Sequence, residues 1–452
     1  MRAVMRWLGW LILCGCLLLV GTAIFFRIAG PGAAARAALA LLQDAEPVEA
    51  GRNAFASIWL IEYDVPAKQR DALAAQDIDA LIGADTDQPQ WPGQSLGVGF
   101  KRLADLRGDP PLCDRAHGDC LAMVRQGREA YAAMLARDRA LVERIRALAA
   151  FDRYRTPPSA QTDVPLPPLP RLFAGPTASA LDFVEGRVDP ALESTCREVE
   201  TWRRLGANSD SLVVSMLAAG LVRIEVRLFA DMLAELPPDH PLPAACGVAF
   251  DPARIAPDLC PAMRGEARLM MAAAGGAGAS ENRLKRALLY DVDATRALLA
   301  PAYARGCSEA MRQALSNGGE LPPAPPPVSR WQPSCLGNLV GCLLARIGAP
   351  DFDLYFRRAQ DGQALLHATE TLLRLRSAAA GSGRSVAELL AADGLAWDWA
   401  PAYRPQFDAQ AGELVVPMRG YQDIDAWRIP LPASRRGSGA STEIAAGTEG
   451  AD

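Results

Sequence analysis

The sequence predicts a mainly α-helical protein that begins with one transmembrane helix and ends with a small β-hairpin-like segment. Three observations lead to this fold class. An uncharged run lies near the start of the chain, apolar residues then recur at helical spacing, and alternation typical of strands is confined to residues 396–432. The helices after the first are expected to form stacked helical hairpins, although no fixed repeat period recurs along the chain.

The first element is the uncharged run from Trp7 to Phe26. A helix of that length spans about 30 Å, the thickness of the hydrocarbon core of a bilayer. The favoured interpretation is an uncleaved signal-anchor over residues 7–26, preceded by a cytoplasmic tail over residues 1–6. Two alternatives stay open: a signal peptide cleaved after Ala23, and a lipoprotein modified at Cys16.

Charge and cysteine content predict where the rest of the chain lies. Arg2 and Arg6 precede the helix and give a slight positive-inside bias. Only three of the 47 basic residues are lysines, a composition typical of GC-rich bacterial genomes. We therefore expect a single-pass protein of a bacterial inner membrane, with most of the chain in the periplasm.

Beyond the predicted span the chain has an even number of cysteines, which in an exported protein indicates disulfides. The eight candidates are Cys113, Cys120, Cys196, Cys246, Cys260, Cys307, Cys335 and Cys342. The pairing expected from short separations joins Cys113 to Cys120, Cys246 to Cys260 and Cys335 to Cys342, which leaves Cys196 with Cys307. Many other connectivities are possible.

Two proline-rich stretches divide the predicted domain. Helical region I covers residues 31–156, region II covers 171–320, and region III, with the β segment, covers 334–432. The linkers are residues 157–170 and 321–333, where prolines favour extended backbone. Residues 433–452 are rich in small and polar residues and are predicted to be a disordered tail.

The strongest helical patterns occur in all three regions. One apolar stripe runs from Tyr131 to Ala149 after Cys120. A second helix begins near Leu212 and ends at Pro237-Pro238, and its uncharged start is too short to cross a bilayer and is expected to be buried. A third centres on residues 365–373. The aromatic residues of 396–432 are expected to pack as a small hairpin on the helices, with an aromatic ligand surface as the alternative.

One short motif suggests an enzyme. Gly93-Gln94-Ser95-Leu96-Gly97 matches the G-x-S-x-G nucleophile elbow, in which a buried strand delivers the serine to a sharp turn. The polar, proline-containing residues 85–92 cannot form that strand. Ser95 is therefore a weak candidate nucleophile, with His240 or His367 as possible bases.

Metal and cofactor sites are not predicted. Cys113, His117 and Cys120 have spacing that could hold zinc, but a fourth ligand is missing and disulfide closure of the loop is favoured. The three histidines are widely separated, and no phosphate-binding glycine loop occurs. We expect neither a bound metal nor a cofactor.

The predicted function is binding or scaffolding by the periplasmic domain rather than catalysis. The net charge of -5 argues against a nucleic-acid surface. The expected partners are the inner membrane, through residues 7–26, and an envelope protein. The alternative is a cell-envelope hydrolase, acting on glycan through paired carboxylates or as a serine hydrolase through Ser95.

Overall fold

The computed structural model describes residues 2–43, 51–82, 95–103, 109–114, 119–157, 166–276, 289–329, 332–348, 351–393, 396–421 and 425–431. Seventeen α-helices and one three-stranded sheet lie in this part of the chain. The mainly helical class and the small β segment near the C-terminus are therefore confirmed.

The first element is the N-terminal helix α1 (Arg2–Ala29). Its segment Met5–Ala29 has a mean hydropathy of 2.4 and none of its most apolar stretch is buried. Among the described residues it is the one helix that is long and apolar enough to cross a membrane. Gly30 adopts a left-handed conformation (φ 65°) and lets the chain turn into α2 (Ala33–Gln43).

A large hydrophobic core unites most of the domain. Its buried side chains come from the helices between residues 55 and 249, from the later part of one long helix near residue 370, and from the sheet. The helices of the first stretch are α3 (Phe55–Trp59), α4 (Ala67–Ile82), α5 (Cys120–Gln126), α6 (Arg128–Arg137), α7 (Arg139–Arg146), α8 (Ala174–Val184), α9 (Val188–Ala207), α10 (Leu212–Glu235) and α11 (Ala244–Ala249).

A smaller core lies beside it and receives α2. The later helices are α12 (Cys260–Gly276), α13 (Val292–Ala304), α14 (Glu309–Asn317), α15 (Leu339–Ile347), α16 (Asp353–Ser382) and α17 (Val386–Asp393). The long helix α16 belongs to both cores, because Phe356 packs in the smaller one and Leu366 in the larger one.

The predicted helix after Cys120 exists as three shorter helices, α5, α6 and α7. Gly127 and Asp138 stand at the two breaks. The apolar stripe is nevertheless buried, from Tyr131 to Leu148, whereas Ala149 is exposed. Periodicity therefore predicted the buried face correctly but not the interruptions, which keep that face against α8.

The other two predicted helices are confirmed as α10 and as part of α16. Ser211 caps α10 by accepting a hydrogen bond from the Val214 amide. Leu236 leaves the helical conformation immediately before Pro237-Pro238. The uncharged start of α10 lies within the folded domain, as expected, rather than in a second span.

The β segment has three antiparallel strands in the order β1 (Gln406–Asp408), β2 (Glu413–Pro417) and β3 (Ala426–Pro430). The predicted hairpin corresponds to β1 and β2, and β3 adds a third strand to it. Leu414 and Ile429 are fully buried against the helices, so the sheet covers α10 and α16.

All eight predicted cysteines form disulfides, but two of the four expected pairings are wrong. The bonds Cys113–Cys120 and Cys335–Cys342 occur as predicted. The other two are Cys196–Cys246 and Cys260–Cys307. The reason is that α11 packs against α9, which brings Cys246 to Cys196 and leaves Cys260 for Cys307.

Parts of the predicted domain division lie outside the described residues: the tail 433–452 and residues 158–165 of the first proline-rich linker. Residues 321–329 have neither helix nor strand. The division into three regions stays a prediction. The larger core takes residues from all three of them.

Candidate functional site

An apolar cleft lies where the two cores meet. Residues of α9, α10, α16 and the loop 255–259 line it, and its volume is about 90 Å³. Pockets that hold a whole metabolite or drug usually have about 300–1,000 Å³. The cleft therefore has room for one or two side chains and not for a large substrate.

Small residues keep this cleft open between the helices. Gly206, Ala207, Ala219, Ala359 and Gly362 all line it, together with the buried aromatic ring of Trp202. A Cβ atom added to Gly362 would meet no neighbouring atom within 4 Å. Open space of the cleft therefore begins at the Cβ position of residue 362.

The polar side chains around the cleft hold its walls together. The Arg203 guanidinium donates to the carbonyl of Ala249, and Arg358 Nε donates to the carbonyl of Gly420 at 3.0 Å. Ser215 Oγ donates to a backbone carbonyl across the α9–α10 contact. Burial lowers the pKa of Arg203 to about 10, so the side chain stays charged at neutral pH. The surface that remains for recognition is mainly apolar.

A pair of buried carboxyl groups lies between α8, α9 and α10. Glu198 and Glu225 are 4% and 0% exposed, and none of their four carboxyl oxygens has a hydrogen-bond partner of ordinary geometry. Gly175 of α8 approaches Glu198 so closely that a side chain at position 175 would collide with the carboxyl group. The pair is therefore enclosed on the α8 side by backbone.

The protonation of this pair follows from its surroundings. Burial raises the pKa of both carboxyl groups, and the negative charge of Glu198 raises the pKa of Glu225 further. Glu225 therefore keeps its proton to higher pH than an exposed glutamate does. Neither residue lines the cleft, so this pair has no access to a substrate held there. Both carboxyl groups belong to the buried interior of the domain.

Ser95 occupies a capping position. Its hydroxyl donates to the buried carboxylate of Asp77, which also accepts the indole N–H of Trp59 at 2.7 Å. Ser95 Oγ accepts from the Gly97 amide and caps the 3-10 helix Leu96–Gly99. No strand precedes Ser95 in the described residues; residues 83–94, including the first two residues of the motif, lie outside them. The described geometry is that of a helix cap rather than a nucleophile elbow.

The candidate zinc cluster is closed by a covalent bond. Cys113 and Cys120 are joined to each other, so neither can supply a thiolate to a metal. His117 lies outside the described residues. Within the described ranges, no group of three or more His, Cys, Asp or Glu side chains is arranged to hold a metal ion.

The two histidines considered as bases have contacts other than the Ser95 hydrogen-bond network. His240 Nε2 lies 3.3 Å from a carboxylate oxygen of Asp189. The ring of His367 stacks on Trp399 with a centroid distance of 4.7 Å. Burial lowers the pKa of His367 to about 4, so its imidazole is neutral at physiological pH.

The aromatic residues near the C-terminus belong to the packing of the sheet and helices. Trp399 Nε1 donates to the carbonyl of Ser316, and Trp397 Nε1 donates to the carbonyl of Ala400. Both indoles are half-buried and lie beside His367. These contacts agree with the first interpretation of this segment, in which its aromatic residues pack on the helices.

Comparison with known proteins does not assign this chain to a family. No protein-family model, no curated protein and no solved structure matches this chain. The functional assignment therefore depends on the geometry of the cleft, the disulfides and the N-terminal helix.

Proposed function

We propose that this protein is a single-pass envelope protein whose disulfide-bonded helical domain, of stacked helical hairpins, binds a partner protein in the periplasm. Helix α1 would cross the inner membrane of a GC-rich bacterium, with residues 1–6 in the cytoplasm. The observation that carries the binding function is the small apolar cleft between α9, α10 and α16. Its expected occupant is an apolar anchor side chain of the partner.

Size and chemistry support a protein partner over a substrate. A cleft of about 90 Å³ matches one buried anchor of a protein interface, where a few well-packed side chains supply most of the binding energy. Among the described residues that line it, no hydroxyl or thiol is paired with a base. Arg203 and Ser215 there donate to backbone carbonyls of the domain itself.

The compartment is supported by the cysteines. All eight cysteines of the domain are paired in disulfides, whereas Cys14 of α1 is free. Disulfides of this number persist in oxidising compartments and are rare in a reducing cytosol. The oxidised domain and the reduced thiol of α1 are consistent with different surroundings.

The compartment proposal predicts the thiol chemistry of protein taken from native membranes. Alkylation before extraction, followed by non-reducing peptide mapping, should modify no cysteine beyond Cys16. Peptides joined through Cys196–Cys246 and through Cys260–Cys307 should be recovered, together with an intact N-terminus. A chain that begins at residue 31 and stays in the cytoplasm is the control, and its thiols should be alkylated. Free distal thiols in the membrane-derived protein would contradict a periplasmic domain.

The cleft proposal predicts position-specific crosslinking in intact cells. A photoreactive benzoylphenylalanine at Ala256, an exposed residue of the cleft loop, should give a discrete crosslinked species. The same residue at Ala253, which is exposed in the same loop but does not line the cleft, is the matched position and should give none.

A cleft-filling variant tests whether that species depends on the cleft. Gly362→Leu should lower the crosslinking yield on the order of tenfold, because an occupied cleft cannot admit the anchor side chain. Gly220→Leu is the control, since Gly220 is also helical, has no atom within 4 Å of an added Cβ and does not line the cleft. Equal yields from both variants would exclude the cleft as the binding site.

A further inference from the structure

The second surface of interest is an apolar stripe next to the end of the N-terminal helix. Beyond α1, nine large apolar side chains are exposed among the described residues, and five of them lie within residues 336–347. These five are Leu336, Leu339, Val340, Leu343 and Ile347. We call them the α15 stripe.

Four residues of the stripe lie on one face of α15, and Leu336 lies in the 3-10 turn Pro333–Gly337 before it. Leu339, Leu343 and Ile347 are spaced four residues apart on α15 and are 57%, 55% and 72% exposed. Residues four apart on a helix lie above one another. The helix is nine residues long, so the stripe extends for about 14 Å.

The opposite face of α15 carries small residues and is buried. Gly341, Cys342 and Ala345 face the domain, and Gly341 lies so close to Thr295 of α13 that a side chain there would collide. The Cys335–Cys342 disulfide fixes the helix in this orientation. A helix folding against water normally buries its leucine and isoleucine side chains. Here the largest apolar side chains point outward, which indicates that this face contacts an apolar environment that the chain itself does not supply.

The position of the stripe beside the end of α1 indicates what this apolar environment is. Arg27, at the end of the apolar part of α1, donates to the carbonyls of Gly337 at 3.2 Å and Tyr290 at 2.9 Å. These contacts hold the start of α15 at the level where α1 would leave the hydrocarbon core. Arg346 is exposed on the same helix. Arginines at this depth reach lipid phosphates while their stems stay in the apolar layer.

We infer that α15 is a second membrane contact, which lies in the outer interface of the same bilayer with its apolar stripe among the acyl chains. This arrangement is that of an interfacial amphipathic helix, and it rests on the membrane anchoring proposed for α1. The domain would then have a fixed orientation on the membrane, instead of moving freely on the short connection at Gly30.

Spin labelling of the full chain in lipid vesicles tests the inference. Cys14→Ser and Cys16→Ser remove the thiols that are not in disulfides. The protein is then reconstituted into vesicles of phosphatidylethanolamine and phosphatidylglycerol. Single labels are placed by Leu343→Cys, by Ile347→Cys and, as a matched control, by Val213→Cys, an exposed apolar position of α10. Collision of each label with oxygen, which concentrates in the bilayer, is compared with collision with a water-soluble nickel chelate.

The oxygen-to-nickel ratio at positions 343 and 347 should exceed the ratio at 213 several-fold. An added Leu339→Glu should lower the ratio at 343, because it introduces a charge into the stripe. Equal ratios at 343 and 213 would overturn the inference, and so would protection of 343 from both reagents, which would mean that protein covers the stripe.

A label at Leu18→Cys in α1 separates this inference from the anchor on which it rests. A deep label at 18 with aqueous labels at 343 and 347 would reject the α15 contact and leave the anchor intact. An aqueous label at 18 would reject the membrane anchoring itself.

Discussion

Loss of the disulfide between Cys196 and Cys246 is expected to lower the free energy of unfolding by about 4 kcal/mol, because the bond closes a loop with a sequence separation of 50. The bond ties α9 to α11 inside the larger core, and both cysteines are buried. A Cys196→Ala, Cys246→Ala variant is compared with the native protein by chemical unfolding of the full chain in detergent. Tryptophan fluorescence, to which the buried Trp202 contributes, reports the transition.

The matched control is the double variant Cys113→Ala, Cys120→Ala. These cysteines are also buried, but their separation is seven residues, for which the chain-entropy relation gives a loss of about 2 kcal/mol. The side-chain truncation is the same in both variants, so the difference between them measures loop closure. Equal losses would show that packing around the sulfur atoms, and not loop closure, determines the contribution.

Replacing Glu225 with glutamine is expected to raise the free energy of unfolding at pH 8 by about 1–3 kcal/mol. The native carboxyl group is fully buried beside Glu198. In the folded state it must either stay protonated or carry its negative charge without contact with water. Glutamine has nearly the same shape, carries no charge at any pH, and can donate its amide hydrogens to Glu198.

The pH dependence of this effect has a definite sign. The pKa of Glu225 in the folded protein lies well above its ordinary value of 4.5. Between pH 4.5 and the folded-state pKa, the unfolded chain therefore binds fewer protons than the folded one, and native stability falls as the pH rises. Below pH 4.5 the contribution of the protonated carboxyl group is fully present. The stability gained by Glu225→Gln should accordingly increase from pH 5 to pH 8.

A second glutamate of the same helix is the control for this experiment. Glu235 is partly exposed and pairs with Arg125 at 3.0 Å on the surface. Glu235→Gln should change the free energy of unfolding by no more than about 1 kcal/mol, the usual range for surface ion pairs. A change in the free energy of unfolding by Glu225→Gln that is the same at pH 5 and pH 8 would mean that the pKa of Glu225 is not raised in the native protein.

Much of the fold could be predicted because it is encoded by neighbouring residues. The apolar stripe from Tyr131 to Leu148 predicted a buried face, and the prolines after Leu236 predicted the end of α10. The breaks at Gly127 and Asp138 could not be predicted in this way, since no proline marks either position. They depend on how α5, α6 and α7 pack on α8.

The buried carboxyl pair left a signal in the sequence that periodicity alone could have revealed. Glu225 falls on the stripe of Val222 and Phe229, three and four residues away on the same helix face. Glu198 has the same relation to Trp202. A glutamate on the core face of a helix indicates a neutral or paired carboxyl group. Which two glutamates meet is decided only by the contact between α9 and α10.

The sequence by itself determined the helical class, the apolar length of α1, the eight cysteines that form disulfides and the position of the small sheet. Each of these depends on composition or on spacing within a short segment. Only the tertiary structure decided the pairings of Cys196 and Cys260, the cleft beside Gly362 and the outward direction of Leu343. These depend on which distant segments pack together, and side-chain volumes at those contacts, such as the absent side chain of Gly341, select which helix face is buried.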